Sequence, residues 1–375
     1  MPTYNIAVLP GDGVGPEVVA EALKVLLALE EPHPDLRFTF SEHPVGAGCY
    51  AETGDDLPEA TLDACKNADA VLFGSAGDPD IRFPDGTEIA PQLTLRFELD
   101  LYAGIRPIRK YHGVPPLLDG NPPLDYVILR ENTEGLYASR GAGVRLGDSL
   151  AVDNMVITRA GTERIVRYAF EIAKQRKGAP ADGRSRVTSV DKANILKSMA
   201  FFRQIYDEVA ESYPDVERDY AYVDAFTVYQ LRNPSWYDVV VAENMFGDII
   251  SDLAAATIGG MGMAPSADVG DRYGVFQPSH GTAPDIAGNG IANPMAQILS
   301  AGMMLSWLGA RHDDPEAIAA SDTIDRAVDR ALENPKNHPA DLGGDAGTTE
   351  VGDAVAEAVA NAVPGSEGIP AVDGE

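Results

Sequence analysis

Ile6-Ala7-Val8-Leu9-Pro10-Gly11-Asp12-Gly13-Val14-Gly15-Pro16-Glu17 is the stretch from which the architecture follows. Residues 6–9 have the apolar character of a short buried strand, and residues 11–16 that of a tight turn. From residue 17 to 29 the apolar positions recur at helical spacing. Pro16 suits the first turn of that helix, where its missing amide hydrogen is no loss. The glycines follow G-x-G-x-G. A dinucleotide fingerprint needs G-x-G-x-x-G and a carboxylate closing a strand about twenty residues on. Both are missing, so a strand-to-helix turn is expected and a Rossmann site is not.

The same alternation continues outward. Residues 70–74, 126–129 and 238–242 are near-continuous apolar runs separated by helical stretches, and 186–190 is strand-like. Strands of that kind are buried on both faces, so an α/β fold with a largely parallel sheet is expected. Residues 298–308 suggest a buried helix rather than a membrane span, because Ser300, Gly302 and Ser306 interrupt it. Residues 141–152 mix glycine, charge and strand formers, as a projecting arm or a loop would. The acidic, Gly- and Pro-containing end from about residue 364 is expected to be disordered.

The 375 residues carry a formal net charge of −29, from 58 acidic and 29 basic side chains. That balance argues against a nucleic-acid partner, since phosphates call for a basic footprint. No run has the length for a membrane helix, and residues 2–10 lack the basic-then-apolar order of a signal peptide. Cys49 and Cys65 are too few for a disulfide framework. A cytoplasmic protein without membrane or nucleic-acid partners is expected.

Chemistry concentrates in Asn244-Met245-Phe246-Gly247-Asp248-Ile249-Ile250-Ser251-Asp252. On a helix, Asp248 and Asp252 project from one face a turn apart and repel by roughly 0.2–0.5 kcal/mol. A divalent cation would relieve that repulsion, and carboxylate oxygens suit Mg²⁺ or Mn²⁺. A solvated acidic face is the plainer alternative for this motif alone. Arg96, Arg106 and Arg130 stand near expected element ends, where guanidinium forks bind carboxylates or make ordinary ion pairs. Lys192 follows a strand, as a proton-handling base or as a solvated lysine.

Taken together, these segments resemble the β-decarboxylating dehydrogenases: isopropylmalate, isocitrate, homoisocitrate and tartrate/D-malate dehydrogenases. The resemblance runs from Leu9-Pro10-Gly11-Asp12-Gly13-Val14-Gly15-Pro16-Glu17 to Asp341-Leu342-Gly343-Gly344. It is sharpest at residues 130–137, 244–252 and 280–288. It implies a two-domain isopropylmalate/isocitrate dehydrogenase-like fold, with residues 1–101 and 258–375 as the cofactor domain. Residues 102–257 would form the substrate and dimerisation domain.

The resemblance also implies roles. Arg96, Arg106 and Arg130 match a substrate-carboxylate clamp. Asp248, Asp252 and Asp224 match metal ligands, Asp224 and Lys192 crossing from the neighbouring subunit of a homodimer that could pair into a tetramer. Tyr137 and Lys192 match catalytic proton carriers. His280, Gly281, Thr282, Ala283, Asp285 and Asn293 match an adenosine-binding loop, and Ser75, Ala76 and Gly77 the nicotinamide side. A carboxylate at Asp285 accepts ribose hydroxyls and repels a 2′-phosphate, which points to NAD.

Two positions depart from the pattern of isopropylmalate members. Gln92 stands where they usually carry a leucine, while Leu93 keeps its partner. Gln277 replaces a usual glutamate. No Ser/Asn pair serves a third carboxylate, so 3-isopropylmalate is expected first and tartrate or D-malate second, ahead of isocitrate and homoisocitrate. A plain hydroxyacid dehydrogenase and a non-catalytic carboxylate-binding protein are the outlying alternatives.

The charge balance makes its own prediction. An Asp-rich surface with only 8 lysines repels itself unless salt screens it. The thermal midpoint should rise between low ionic strength and molar KCl; equal midpoints would contradict this.

Overall fold

The computed structural model describes residues 3–362, so the acidic end expected to be disordered lies outside the described residues. Twelve strands are present among them: β1 Thr3–Gly11, β2 Arg37–Glu42, β3 Ala70–Ser75, β4 Ala103–Arg109, β5 Asp125–Glu131, β6 Val144–Leu146, β7 Leu150–Val152, β8 Arg186–Asp191, β9 Glu217–Tyr222, β10 Val239–Ala242, β11 Pro265–Val269 and β12 Gly274–Pro278. The helices are α1 Gly15–Ala28, α2 Ala47–Thr53, α3 Glu59–Asn67, α4 Pro91–Glu98, α5 Arg159–Gln175, α6 Lys197–Ala210, α7 Val223–Arg232, α8 Asn244–Thr257, α9 Met295–His312, α10 Pro315–Leu332 and α11 Thr348–Ala360. Among the described residues, no helix is long and apolar enough to cross a membrane.

Ten strands form one sheet in the order β2-β1-β3-β12-β11-β4-β5-β10-β8-β9. Its outer runs are parallel, and the antiparallel pairs β12/β11, β11/β4 and β4/β5 lie together at its centre. One half draws its strands from residues 3–75 and 265–278, the other from residues 103–242. Val71 to Phe73 on β3 and Val239 to Ala242 on β10 are fully buried, as expected of strands covered on both faces.

Helices cover the sheet through apolar stripes. In α5, Ile165, Val166, Ala169, Phe170 and Ala173 are buried. That spacing puts them on one face, which packs on β5, β8 and β10. The Thr158 hydroxyl accepts from the Gly161 amide and starts the helix. Helix α9 confirms the buried reading of residues 298–308 and lies on β11 and β12. Residues 141–152 are an arm: β6 and β7 form a separate two-stranded hairpin, with Val144, Leu146, Leu150 and Val152 exposed.

The glycine turn after β1 is an interlocking joint. Gly11 and Gly13 have φ of +74° and +59°. A Cβ on Gly11 would come within 1.9 Å of the Ser75 carbonyl oxygen, and one on Gly13 within 2.0 Å of that of Thr282. The amides of Asp12 and Val14 donate to those same carbonyls, at 2.7 and 2.9 Å. The Asp12 carboxylate accepts from the amides of Ala47, Gly48 and Gly77. The turn therefore joins β1 to the end of β3 and to the loop after β12. Gly11→Ala should lower stability by about 2 kcal/mol or more in urea unfolding, from left-handed strain plus a backbone clash; a change below about 0.5 kcal/mol would contradict the joint.

Candidate active site

The central antiparallel strands set one face of the sheet as a polar wall. Gly104 on β4 lies opposite Arg130 on β5 and Asp268 on β11. Opposed residues share a face, as do residues two apart on a strand. Arg106, Arg130 and Asp268 therefore project together, and the β11/β12 register adds Gln277. Arg106 sits mid-strand rather than near an element end, a correction to the expectation from sequence. It reaches the site because it shares the buried face of β4 with Gly104 and Ile108, alternating with the less buried Ile105 and Pro107.

Arg96 comes from the last turn of α4, and all three arginines line one cavity of about 250 Å³ with Ser75, Gln92, Leu93, Tyr137, Asp248 and His280. Each guanidinium is buried and each has a different partner. Arg96 Nε donates to Asp268 Oδ2 at 2.9 Å. Arg106 donates to the Ser279 hydroxyl at 2.7 Å, while its buried Nε has no partner. Arg130 donates to Asn244 Oδ1 at 3.0 and 2.8 Å and to Asp248 Oδ1. Burial, and then the charge of Arg96, pull the Arg130 guanidinium down to about 10, against the pull of Asp248.

Helix α8 delivers this contact. Glu243 caps it, its carboxylate accepting from the amides of Phe246 and Met245 at 2.7 and 3.2 Å. Asn244 on the first turn holds Arg130. Gly247 lets the helix lie against Arg130, whose Cβ would be 2.8 Å from a Cβ at that position. Asp248 then meets both Arg130 and Tyr137, accepting from the Tyr137 hydroxyl at 3.0 Å. Burial, and then Asp248, raise the Tyr137 phenol above its ordinary value. Asp252 is one turn further along the same helix, exposed. Desolvation, and then Asp248, raise its carboxyl.

Asp224 and Lys192 do not join this cluster. Lys192 Nζ pairs with Asp224 Oδ1 at 2.5 Å. The hydrogen bond from Lys192 holds the Asp224 carboxyl below its ordinary range. Among the described residues no three His, Cys, Asp or Glu side chains form a metal-sized group within the single chain. The Lys192–Asp224 pair lies beside exposed Ile195, Leu196, Tyr222, Val228 and Tyr229.

The loop after β12 carries the remaining expected residues. Gly281 lines the cavity, Thr282 docks on the glycine turn, and Ala283 adopts a φ of +41°. Asp285 is exposed, whereas Asn293 is buried with its amide on Asp341 and its carbonyl on the Met295 amide. Burial lowers the His280 imidazole, whose Nδ1 lies 2.8 Å from the Gly281 carbonyl. Across the cavity, Ser75 bonds the Asp12 carbonyl, Ala76 is lined up beside it and the Gly77 amide is held by Asp12.

The isocitrate/isopropylmalate dehydrogenase family profile matches residues 5–355. The chain belongs to that family. It is 43% identical over 326 residues to the 3-isopropylmalate/3-methylmalate dehydrogenase of Methanocaldococcus jannaschii, covering 87% of this chain and 90% of that one. It is 43% identical over 318 residues to the 3-isopropylmalate dehydrogenase of Aquifex aeolicus, covering 82% and 84%. The crystal structure of isocitrate dehydrogenase from Methylococcus capsulatus superposes with a TM-score of 0.84 at 36% identity, over 96% of this chain and all of that one. A β-decarboxylating dehydrogenase from Thermococcus kodakarensis superposes with a TM-score of 0.75 at 39% identity, over 95% and 96%.

Asp268, Asn132, Asn244 and Ser279 escaped the reading of the sequence. A lone aspartate within the apolar run of β11 was the available signal. Burial pushes the Asp268 carboxyl up, but Arg96, Arg106 and the Arg96 hydrogen bond outweigh it and hold it low. Its native value lies below the unfolded one, so its stabilisation is complete above about pH 4 and drains away as pH falls further. Arg96→Met should cost about 3–5 kcal/mol in urea unfolding at pH 7, by leaving Asp268 buried and uncompensated. The cost should shrink below about pH 4 as Asp268 takes a proton. A loss under about 1 kcal/mol at pH 7 would show that Arg96 is not its counter-charge.

Proposed function

We propose that the protein is an NAD-dependent, divalent-metal-dependent dehydrogenase that oxidatively decarboxylates a 3-substituted malate, 3-isopropylmalate first. The observation that carries this reading is the convergence of three buried arginines on one small cavity, beside the acidic face of α8. Arg96, Arg106 and Arg130 bind the two substrate carboxylates, and bidentate forks fix the orientation of the diacid. The half of the sheet carrying residues 1–101 and 258–375 is read as the cofactor domain, and residues 102–257 as the substrate and dimer domain.

The donor set suits a hard cation. Asp248 lines the cavity, Asp252 is exposed one turn along the same helix, and both offer oxygen ligands only. These two and Asp224 of the partner subunit would hold Mg²⁺ or Mn²⁺. Such an ion would supply Lewis acidity to the substrate oxygens it touched. Exposed Asp285 would accept the ribose hydroxyls of NAD, which supplies the hydride acceptor. Lys192 takes the proton from the C2 hydroxyl, and Tyr137, held protonated at neutral pH, delivers one to C3. Gly104 and Gly247 let Asn132 and the Arg130 stem pack closely into the wall.

Lys192 and Asp224 act in this scheme across a homodimer, as one paired unit entering the partner's cleft. The apolar side chains around that pair and on the β6/β7 arm support an interface there.

A second reading rests on Gln92. Its Oε1 is buried in the same cavity without a partner, a cost of about 1–3 kcal/mol for a polar group. A hydroxyl at C3 would answer it, which favours tartrate as a substrate beside 3-isopropylmalate. Steady-state rates with 3-isopropylmalate, D-malate, tartrate, isocitrate and homoisocitrate separate these readings. The highest kcat/KM should fall on 3-isopropylmalate, with NAD preferred to NADP. A preference for isocitrate, or for NADP, would contradict the assignment.

The shared site is tested by mixing inactive variants. Lys192→Met and Asp248→Asn should each abolish turnover. After co-refolding in equal amounts, heterodimers hold one intact site each, and about a quarter of the parent activity should return. No recovery, with heterodimers present by mass spectrometry, would place Lys192 and Asp248 in the same protomer's site.

A further inference from the structure

Asp268 is more than the counter-ion of one arginine. It is 1% exposed and accepts three hydrogen bonds: from Arg96 Nε at 2.9 Å, Asn132 Nδ2 at 2.7 Å and Gln277 Nε2 at 2.8 Å. Gly104 stands opposite it, and the Asn132 amide fills the space a side chain there would take. Gln277 and Arg96 both line the cavity. Among the described residues Arg96 bonds only through its Nε, so both terminal nitrogens are left for the cavity. Three guanidinium charges share this wall. Asp248 answers Arg130, Asp268 answers Arg96, and Arg106 has only the Ser279 hydroxyl.

We infer that Asp268 and Gln277 are a positioning pair for substrate binding. Asp268 holds the Arg96 guanidinium by its inner edge and cancels one positive charge, and the Gln277 amide fixes the Asp268 carboxylate. The outer edge of Arg96 then presents two parallel donors to a substrate carboxylate. Neither Asp268 nor Gln277 needs to touch the substrate. This inference rests on the reading of Arg96 as a substrate ligand.

The hydrogen bond between the two side chains has a carboxylate on one end and an amide on the other, and its ends can be exchanged. Asp268→Asn removes the charge and keeps the shape. Gln277→Glu puts a second carboxylate within bonding distance of the first, and the two repel. The double variant D268N/Q277E returns one carboxylate and one amide to the same bond, reversed. Steady-state kinetics with 3-isopropylmalate and NAD, alongside thermal melting, read all four proteins.

Each single variant should raise the KM for 3-isopropylmalate roughly tenfold or more, with the KM for NAD unchanged. The double variant should recover a measurable part of that loss but not all of it, because the reversed bond restores one carboxylate and one amide while the shared Oδ2 position also serves Arg96 Nε. A double variant no better than D268N, in a parent that turns the substrate over, overturns the pairing and leaves the functional reading intact. Equal rises in both KM values would show a general structural defect and overturn it too. Should D268N fail to fold, the double variant must still fold and turn over, and its failure would refute the inference. A parent inert toward every 3-substituted malate would instead show that the functional reading had failed.

Discussion

Three buried guanidiniums repel one another, and the architecture around the cavity follows from meeting that cost. A buried charge without a partner destabilises by several kcal/mol, so each arginine needs an acceptor placed by a rigid element. Helix α8 brings Asn244 and Asp248 to Arg130 and can do so only because Gly247 has no side chain. Strand β11 brings Asp268 to Arg96, and the end of β12 brings Ser279 to Arg106. The sheet reverses direction at its centre, so these strands present their polar residues to one face. The arginine left without a carboxylate is the natural seat for an anionic ligand.

Much of this was legible in the chain itself. The interval between Asp248 and Asp252 placed both on one face of a helix, and α8 has that helix. The glycine spacing after β1 excluded a dinucleotide turn, and the turn proves to be a backbone joint to Ser75 and Thr282. The apolar runs gave strands of the expected kind because burial on both faces leaves no alternation to misread. The arm at residues 141–152 stayed ambiguous because three-residue strands have too little period to distinguish from a loop.

The rest was hidden because it depends on register. Arg106 and Arg130 share a face only through the pairing of β4 with β5, and Asp268 joins them only through β11. No local pattern encodes which strand lies beside which. Asn132 and Ser279 are ordinary polar residues until a guanidinium or a carboxylate is placed next to them. The pairing of Lys192 with Asp224 is of the same kind, since 32 positions separate them and only β8, β9 and α7 bring them together. The departure at Gln277 was visible, but its meaning required the buried carboxylate on the next strand.

Family membership fixes the reaction class more firmly than the substrate. Gln92 and Leu93 line a cavity small enough that a single carbonyl without a partner among the described residues matters. The central claim is that the arginine wall and the acidic helix together drive oxidation coupled to loss of a carboxylate. The most direct measurement is the stoichiometry of CO₂ to NADH during turnover of 3-isopropylmalate, with and without EDTA. One CO₂ per NADH, with both lost on chelation and restored by Mg²⁺, is the predicted result. NADH formed without CO₂, or turnover indifferent to chelation, would contradict the account.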